Sequence, residues 1–252
     1  MPIEDIYEET RRILSSGRER GIVLRLLGGM AIRFHCPSAQ TGPLSRRYVD
    51  IDMVGHTKQS KEIKRFFADH GYAPREVFNA IHGDSRLVFN DLEHMRRLDV
   101  FLDVFKMCHT FNFKDRLDIE SYTLPLADLV ATKLQVVEMT EREYKDLICL
   151  LLDHAVGTED EPEIVNGARL AKLASDDWGI YTTFKKTFHN LLNALEDYGL
   201  ASEQQQLVKD RAKQILTMME EASKSTRWKL RAKIGEKVAW YELPEPDKEI
   251  VK

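Results

Sequence analysis

The chain lacks the marks of several common chemistries. Its three cysteines, Cys36, Cys108 and Cys149, are widely spaced, with no C-x-x-C pair and no zinc-type spacing to a histidine. With no secretory start, that pattern points to a reducing, cytoplasmic setting. No apolar run approaches the roughly 18–20 residues of a membrane helix, so no membrane partner is expected. The eight histidines form neither His-x-x-x-His nor His-Glu-x-x-His. Cys108 and His109 are adjacent, so on a strand they point apart and cannot serve as nucleophile and base. Gly-x-Ser-x-Gly and Gly-x-x-x-x-Gly-Lys-Ser/Thr are both missing, which removes the usual marks of a serine hydrolase and of a P-loop NTPase. The net charge of −4 argues against a polyanion binder of the whole-surface type, although a local basic patch remains compatible with it.

What remains is ordinary globular composition, 43% hydrophobic and 31% charged, on 252 residues, enough for a sizeable core. Periodicity predicts a helix over 3–18 and a buried strand over 22–27. The Gly28-Gly29 turn leads into a short helix over 30–35. A strand follows over 48–54, then a helix over 58–70 capped by Gly71. Residues 76–81 and 86–90 read as two strands joined by a hairpin-like turn at 82–85, and 97–105 as one alternating strand. From 124 the pattern turns helical: one helix from Pro125, a second over 142–155, an acidic loop over 156–164 and three more helices over 164–222. The class is α+β, a mixed sheet with flanking helices over 1–122, a helical domain over 123–242 and a loose tail over 243–252.

The stretch 22–54 organises the chemistry. Side chains on a strand alternate, so Asp50 and Asp52 share one face. Aspartate is disfavoured in strands, and like charges on one face repel unless a cation lies between them. The strand over 97–105 puts Asp99 and Asp103 on one of its own faces. If the two strands are neighbours, a third carboxylate joins the pair, with Asp99 the choice and Asp103 the alternative. Such a cluster suits phosphoryl or nucleotidyl transfer. Mg²⁺ (or Mn²⁺) takes oxygen ligands, two ions ~3.5–4 Å apart clamp attacking and leaving oxygens, and a spare carboxylate accepts the proton of the attacking hydroxyl. Gly28-Gly29, at a helix start, leaves room for a phosphate.

Gly28-Gly29, then Asp50-Ile51-Asp52, then an acid on a later strand, resembles the nucleotidyltransferase superfamily related to DNA polymerase β. The separation of Gly29 from Asp50 is long for that pattern, and a loop over 37–43 would absorb the excess. The segment LVATKLQVVEMTEREYKDLICL over 129–150 is similar to the AbiEii/MenT-type toxin nucleotidyltransferases. There a helix bearing Lys precedes a basic-Asp pair, matched here by Lys133, Lys145 and Asp146. The resemblance covers about 22–150. It implies a nucleotidyltransferase-like mixed sheet and an NTP co-substrate held by Gly28, Gly29, Arg33 and Lys133. It also implies metal on Asp50, Asp52 and Asp99, and Asp146 orienting a basic group or the acceptor. The acceptor it implies is an RNA, a tRNA 3′ end in particular, for a toxin with an antitoxin partner. A small-molecule acceptor of the aminoglycoside kind and a catalytically degenerate binder are the alternatives.

One further segment has two readings. Over 224–237, Lys224, Arg227, Lys229, Arg231, Lys233 and Lys237 face the single acid Glu236, with Trp228 among them. It could contact an RNA backbone with Trp228 stacking. Alternatively it is a terminal amphipathic helix whose Trp228, Leu230 and Ile234 pack on the body while the bases stay solvated.

Overall fold

Five strands form the frame of the site, and their register decides which side chains meet. The computed structural model describes residues 1–243, so the part of the expected loose tail beyond 243 lies outside the described residues. In chain order the N-terminal region holds α1 (Ile6–Glu19), β1 (Leu24–Leu27), α2 (Gly28–His35), β2 (Asp50–Gly55) and α3 (Ser60–Asp69). It continues with β3 (Ala73–Pro74), α4 (Glu76–His82), β4 (Arg86–Asp91), β5 (Arg96–Leu102), β6 (Val104–Lys106) and β7 (Thr110–Asn112). The sheet order is β1-β2-β5-β4-β3, with β2 and β5 parallel and the other pairs antiparallel. Beyond it run α5 (Leu126–Leu134), α6 (Glu141–Asp153), β8 (Ala155–Gly157), β9 (Ile164–Asn166), α7 (Gly167–Asp176), α8 (Trp178–Ala194), α9 (Ser202–Glu221) and α10 (Thr226–Ile234). The architecture is thus a mixed α/β region followed by a mostly helical one.

The two regions share one continuous cluster of buried side chains, from Ile13 through Met53, Leu98 and Leu129 to Met219. The chain entering α5 is stitched along β1: Leu26 donates to the Tyr122 carbonyl at 2.8 Å and Leu124 donates back to Leu26 at 3.0 Å. That stitch brings α5 to the sheet edge. All nine α5 residues are buried, including Asp128 and Lys133, so this helix is set between sheet and helical region rather than on a surface.

Three expectations need correction. Residues 76–81 are helical, and no hairpin turn occurs at 82–85. The apolar Val77 and Ile81 are 77% and 68% exposed, whereas the polar Asn79 is the buried one. The Asn79 amide explains this: it accepts from the Val88 N–H at 2.7 Å and donates to the Val88 carbonyl at 2.9 Å, filling the place of a strand's peptide group. The strand expected over 97–105 stops at Leu102. Asp103 takes φ 56°, and its carbonyl and N–H are pinned by Phe113 and Gly55, so the alternation restarts in β6. The acidic segment is flanked by two short parallel strands, β8 and β9. In α10, Trp228 packs edge-on to Tyr181 at 5.3 Å, but Leu230 and Ile234 are exposed, so only the tryptophan follows the packed reading.

Candidate active site

Register places the carboxylates. In the parallel pair β2/β5, Asp50 lies opposite Arg97 and Asp52 opposite Asp99, which puts those side chains on one sheet face at the ~4.8 Å spacing of adjacent strands. Asp50, two residues before Asp52, shares that face. Asp103 is elsewhere: it accepts from Thr57 N–H at 3.1 Å and sits 2.9 Å from His56 Nδ1. Those contacts outweigh its burial and hold its carboxyl below the ordinary range.

Gly28 completes this wall. Its φ is +67°, and a Cβ there would lie 2.3 Å from Asp52 Oδ2, so both backbone shape and space require glycine. A Cβ on Gly29 would collide with Arg46 Nη2 at 2.3 Å. The cleft in front has a volume of about 270 Å³. Gly28, Gly29, Asp50, Asp52 and Lys133 all line it. Arg33 does not: its guanidinium lies over the rings of Tyr7 at 5.4 Å and Tyr48 at 5.8 Å. Lys145 pairs instead with Glu141 at 2.8 Å.

The opposite wall comes from α5 and α6. Asp146, 1% exposed, accepts from Arg46 at two points, both 2.9 Å, and is 2.7 Å from Lys133 Nζ. Burial alone would push its carboxyl up, but Lys133 and Arg46 prevail and hold it below the ordinary range. The Arg46 guanidinium also lies 4.2 Å over the Tyr48 ring. Asp146 therefore orients two cations, Lys133 and Arg46, at the edge of the Gly-Gly turn. Thr140 and Glu143 close a capping box that starts α6, which sets Arg142 and Glu143 on the cleft rim.

The carboxylate wall is not so balanced. Removal from water, then Asp50, then Asp99, push Asp52 up to about 8. Asp99, 3% exposed, is held by Arg86 Nε at 2.9 Å and Arg97 Nε at 2.8 Å. Among the described residues, no three His, Cys, Asp or Glu side chains are gathered to hold a metal ion. The donor set nonetheless suits a hard divalent cation. Asp50 and Asp52 offer two carboxylates on one face with an unmet demand for positive charge, and waters and substrate phosphates commonly supply the remaining ligands of Mg²⁺.

Among the cleft residues that sequence reasoning does not single out are Arg46, Arg86, Gln135 and Arg142. Arg46-Arg47, directly before the Asp-x-Asp strand, is the one local hint. The others come to the cleft only through pairing of β4 with β5 and packing of α5 and α6.

No protein-family model matches the chain, and no curated protein matches it. Among solved structures it is similar to the lincosamide antibiotic adenylyltransferase LnuA, lincomycin-bound, with 15% identity and a TM-score of 0.41 over 56% of this chain and 92% of that one. That likeness is too distant to bear on function.

Among the described residues, no helix is long and apolar enough to cross a membrane.

Proposed function

We infer that the protein is a Mg²⁺-dependent nucleotidyltransferase that moves a nucleoside monophosphate from an NTP to an acceptor hydroxyl and releases pyrophosphate. One observation carries this: Asp50 and Asp52 line one cleft with Lys133 and the close-approach glycine Gly28, and Asp99 lies opposite Asp52 on the same sheet face. Asp50 and Asp52 would hold the metal. Mg²⁺ held there would neutralise phosphate charge and supply Lewis-acid stabilisation of the transferred group.

The residues of the chain do the rest. Gly28 and Gly29 admit the triphosphate close to the backbone at the start of α2. Lys133, steered by Asp146, supplies a point charge to it. The acceptor oxygen attacks the α-phosphorus, the bond to pyrophosphate breaks, and the hydroxyl proton passes to a carboxylate, the role proposed for Asp99 in place of metal binding. Arg86 and Arg97 hold Asp99 until phosphate oxygens compete for their guanidiniums. The AbiEii/MenT-type resemblance supports a tRNA 3′ end as acceptor and a toxin role with an antitoxin partner. A small-molecule hydroxyl is the alternative.

The pairing of Asp99 with two arginines favours a second reading, nucleotide binding without turnover. Incubation with each α-labelled NTP, Mg²⁺ and, separately, total RNA, proteins and small-molecule alcohols separates the two. Transfer predicts label in one acceptor class. Nucleotide binding with no label in any class favours the second reading, and absence of both binding and label overturns both.

A further inference from the structure

The cleft has a second end. Along β5 the face that carries Asp99 continues to Phe101, which contacts Phe105 of β6 edge-on at 4.7 Å. Phe101, Phe105, Met107 and Val136 line the cleft there. The acidic end suits phosphates and metal. This end is aromatic and apolar: Phe101 and Phe105 are nearly buried, the Arg86 guanidinium lies 4.8 Å over the Phe101 ring, and together they form an edge against which a flat heterocycle can pack.

Gln135, at the C-terminal cap of α5, lines the same cleft. The residue is fully buried, with 0% exposure. Its Oε1 accepts from the His109 backbone N–H at 2.8 Å, while its Nε2 has no hydrogen-bond partner. The amide cannot be turned over, because that would set Nε2 donors against the His109 N–H. His109 is itself fixed: its Nε2 is 2.8 Å from Thr183 Oγ1, which also accepts from Trp240 Nε1 at 3.1 Å. The turn between β6 and β7 therefore locks Gln135 with a donor left over. A buried donor without an acceptor costs stability in a fold, so its persistence beside a cleft calls for an acceptor supplied from outside the chain.

We propose that the Phe101/Phe105/Met107 end of the cleft is a nucleobase pocket and that Gln135 Nε2 reads an acceptor atom on the base, a carbonyl oxygen or an unprotonated ring nitrogen. The assignment rests on the nucleotide reading above and makes Gln135 a specificity residue. Only a donor is on offer, so the contact is lost where the facing base edge carries an amino group or a protonated nitrogen.

The test is calorimetric titration of the full chain with the four NTPs, inorganic tripolyphosphate and base-free ribose 5-triphosphate, all with Mg²⁺. Wild type is expected to rank the four NTPs over about a tenfold range of Kd, the reach of one well-placed hydrogen bond. It is also expected to bind the best NTP more tightly than ribose triphosphate. Gln135→Met, near in volume but with no donor, should compress that range about five- to tenfold and leave tripolyphosphate binding unchanged. The wild-type comparison of NTP with ribose triphosphate needs no variant, and equal Kd values there overturn the pocket even if Gln135→Met fails to fold. An unchanged ranking in folded Gln135→Met overturns the role of Gln135 alone. No binding of any NTP or of tripolyphosphate overturns the nucleotide reading, and this inference with it.

Discussion

The two walls of the cleft handle charge in opposite ways. On the helix wall, Asp146 is nearly inaccessible and meets Arg46 and Lys133 at 2.7–2.9 Å, so its charge is matched within the fold. On the sheet wall, Asp52 faces Asp50 and Asp99, and the resulting repulsion and burial raise it to about 8. A compensated buried carboxylate is built to stay ionised and to fix its cations. An uncompensated one costs stability until a cation arrives, which is the mark expected of a binding site rather than of a scaffold. Lys133 belongs to both walls, since it pairs with Asp146 and also draws Asp52 down.

Substitutions can break this contrast, and the largest effect falls on the sheet wall. Asp50→Ala and Asp52→Ala should each reduce transfer by on the order of a thousandfold or more, as loss of transition-state charge stabilisation does, while circular dichroism stays native. Near-full activity in either variant would remove that residue from the metal site. Asp146→Ala should act on the fold instead. Leaving Arg46 and Lys133 without their anion costs about 3–5 kcal/mol, read from denaturant midpoints, and a cost below about 1 kcal/mol would show that the helix wall is not held by this network. Lys133→Ala should raise the KM for NTP about tenfold with a smaller change in kcat, since a point charge on the triphosphate acts on bound substrate as well as on the transition state. An unchanged KM takes Lys133 out of the nucleotide site.

Acidity gives a subtler contrast. In metal-free protein Asp52 keeps its proton up to about pH 8 when folded, against the ordinary value of 3.8. Between those values the folded state binds more protons than the unfolded one, so stability falls as pH rises. Asp52 is only partly buried, so solvent screening limits this to about 1–2 kcal/mol. Wild type should lose that increment between pH 4 and 8 relative to Asp52→Asn in thermal melts, and Mg²⁺ should restore it. The smallest effect belongs to Asp103→Asn. Removing a carboxylate that only ties His56 and Thr57 should change transfer less than about twofold and cost about 1 kcal/mol, the worth of one such contact. A large loss of activity would return Asp103 to the site.

Local pattern made half of this site legible. Strand alternation is enough to place Asp50 and Asp52 together, and the Gly-Gly turn before a helix is visible as such. The choice of Asp99 over Asp103 is different in kind. It depends on Asp103 adopting φ 56° because Gly55 and Phe113 pin its backbone, a tertiary effect that periodicity does not carry. The same limit explains 76–81, where apolar spacing suggested a strand while a single Asn79 amide takes the hydrogen bonds of Val88. Arg46 and Gln135 stayed hidden because their partners, Asp146 and His109, lie 100 and 26 residues away. Arg86 is closer in sequence to Asp99, but only the β4/β5 pairing brings them together.

The most direct measurement pairs metal-free melting of Asp52→Asn at pH 8 with its transfer activity when Mg²⁺, α-labelled NTP and the acceptor are supplied. A sheet wall arranged for a cation predicts a metal-free variant that melts at or above wild type yet transfers no label. Wild-type transfer by Asp52→Asn, or a variant that melts several degrees below wild type, would contradict it.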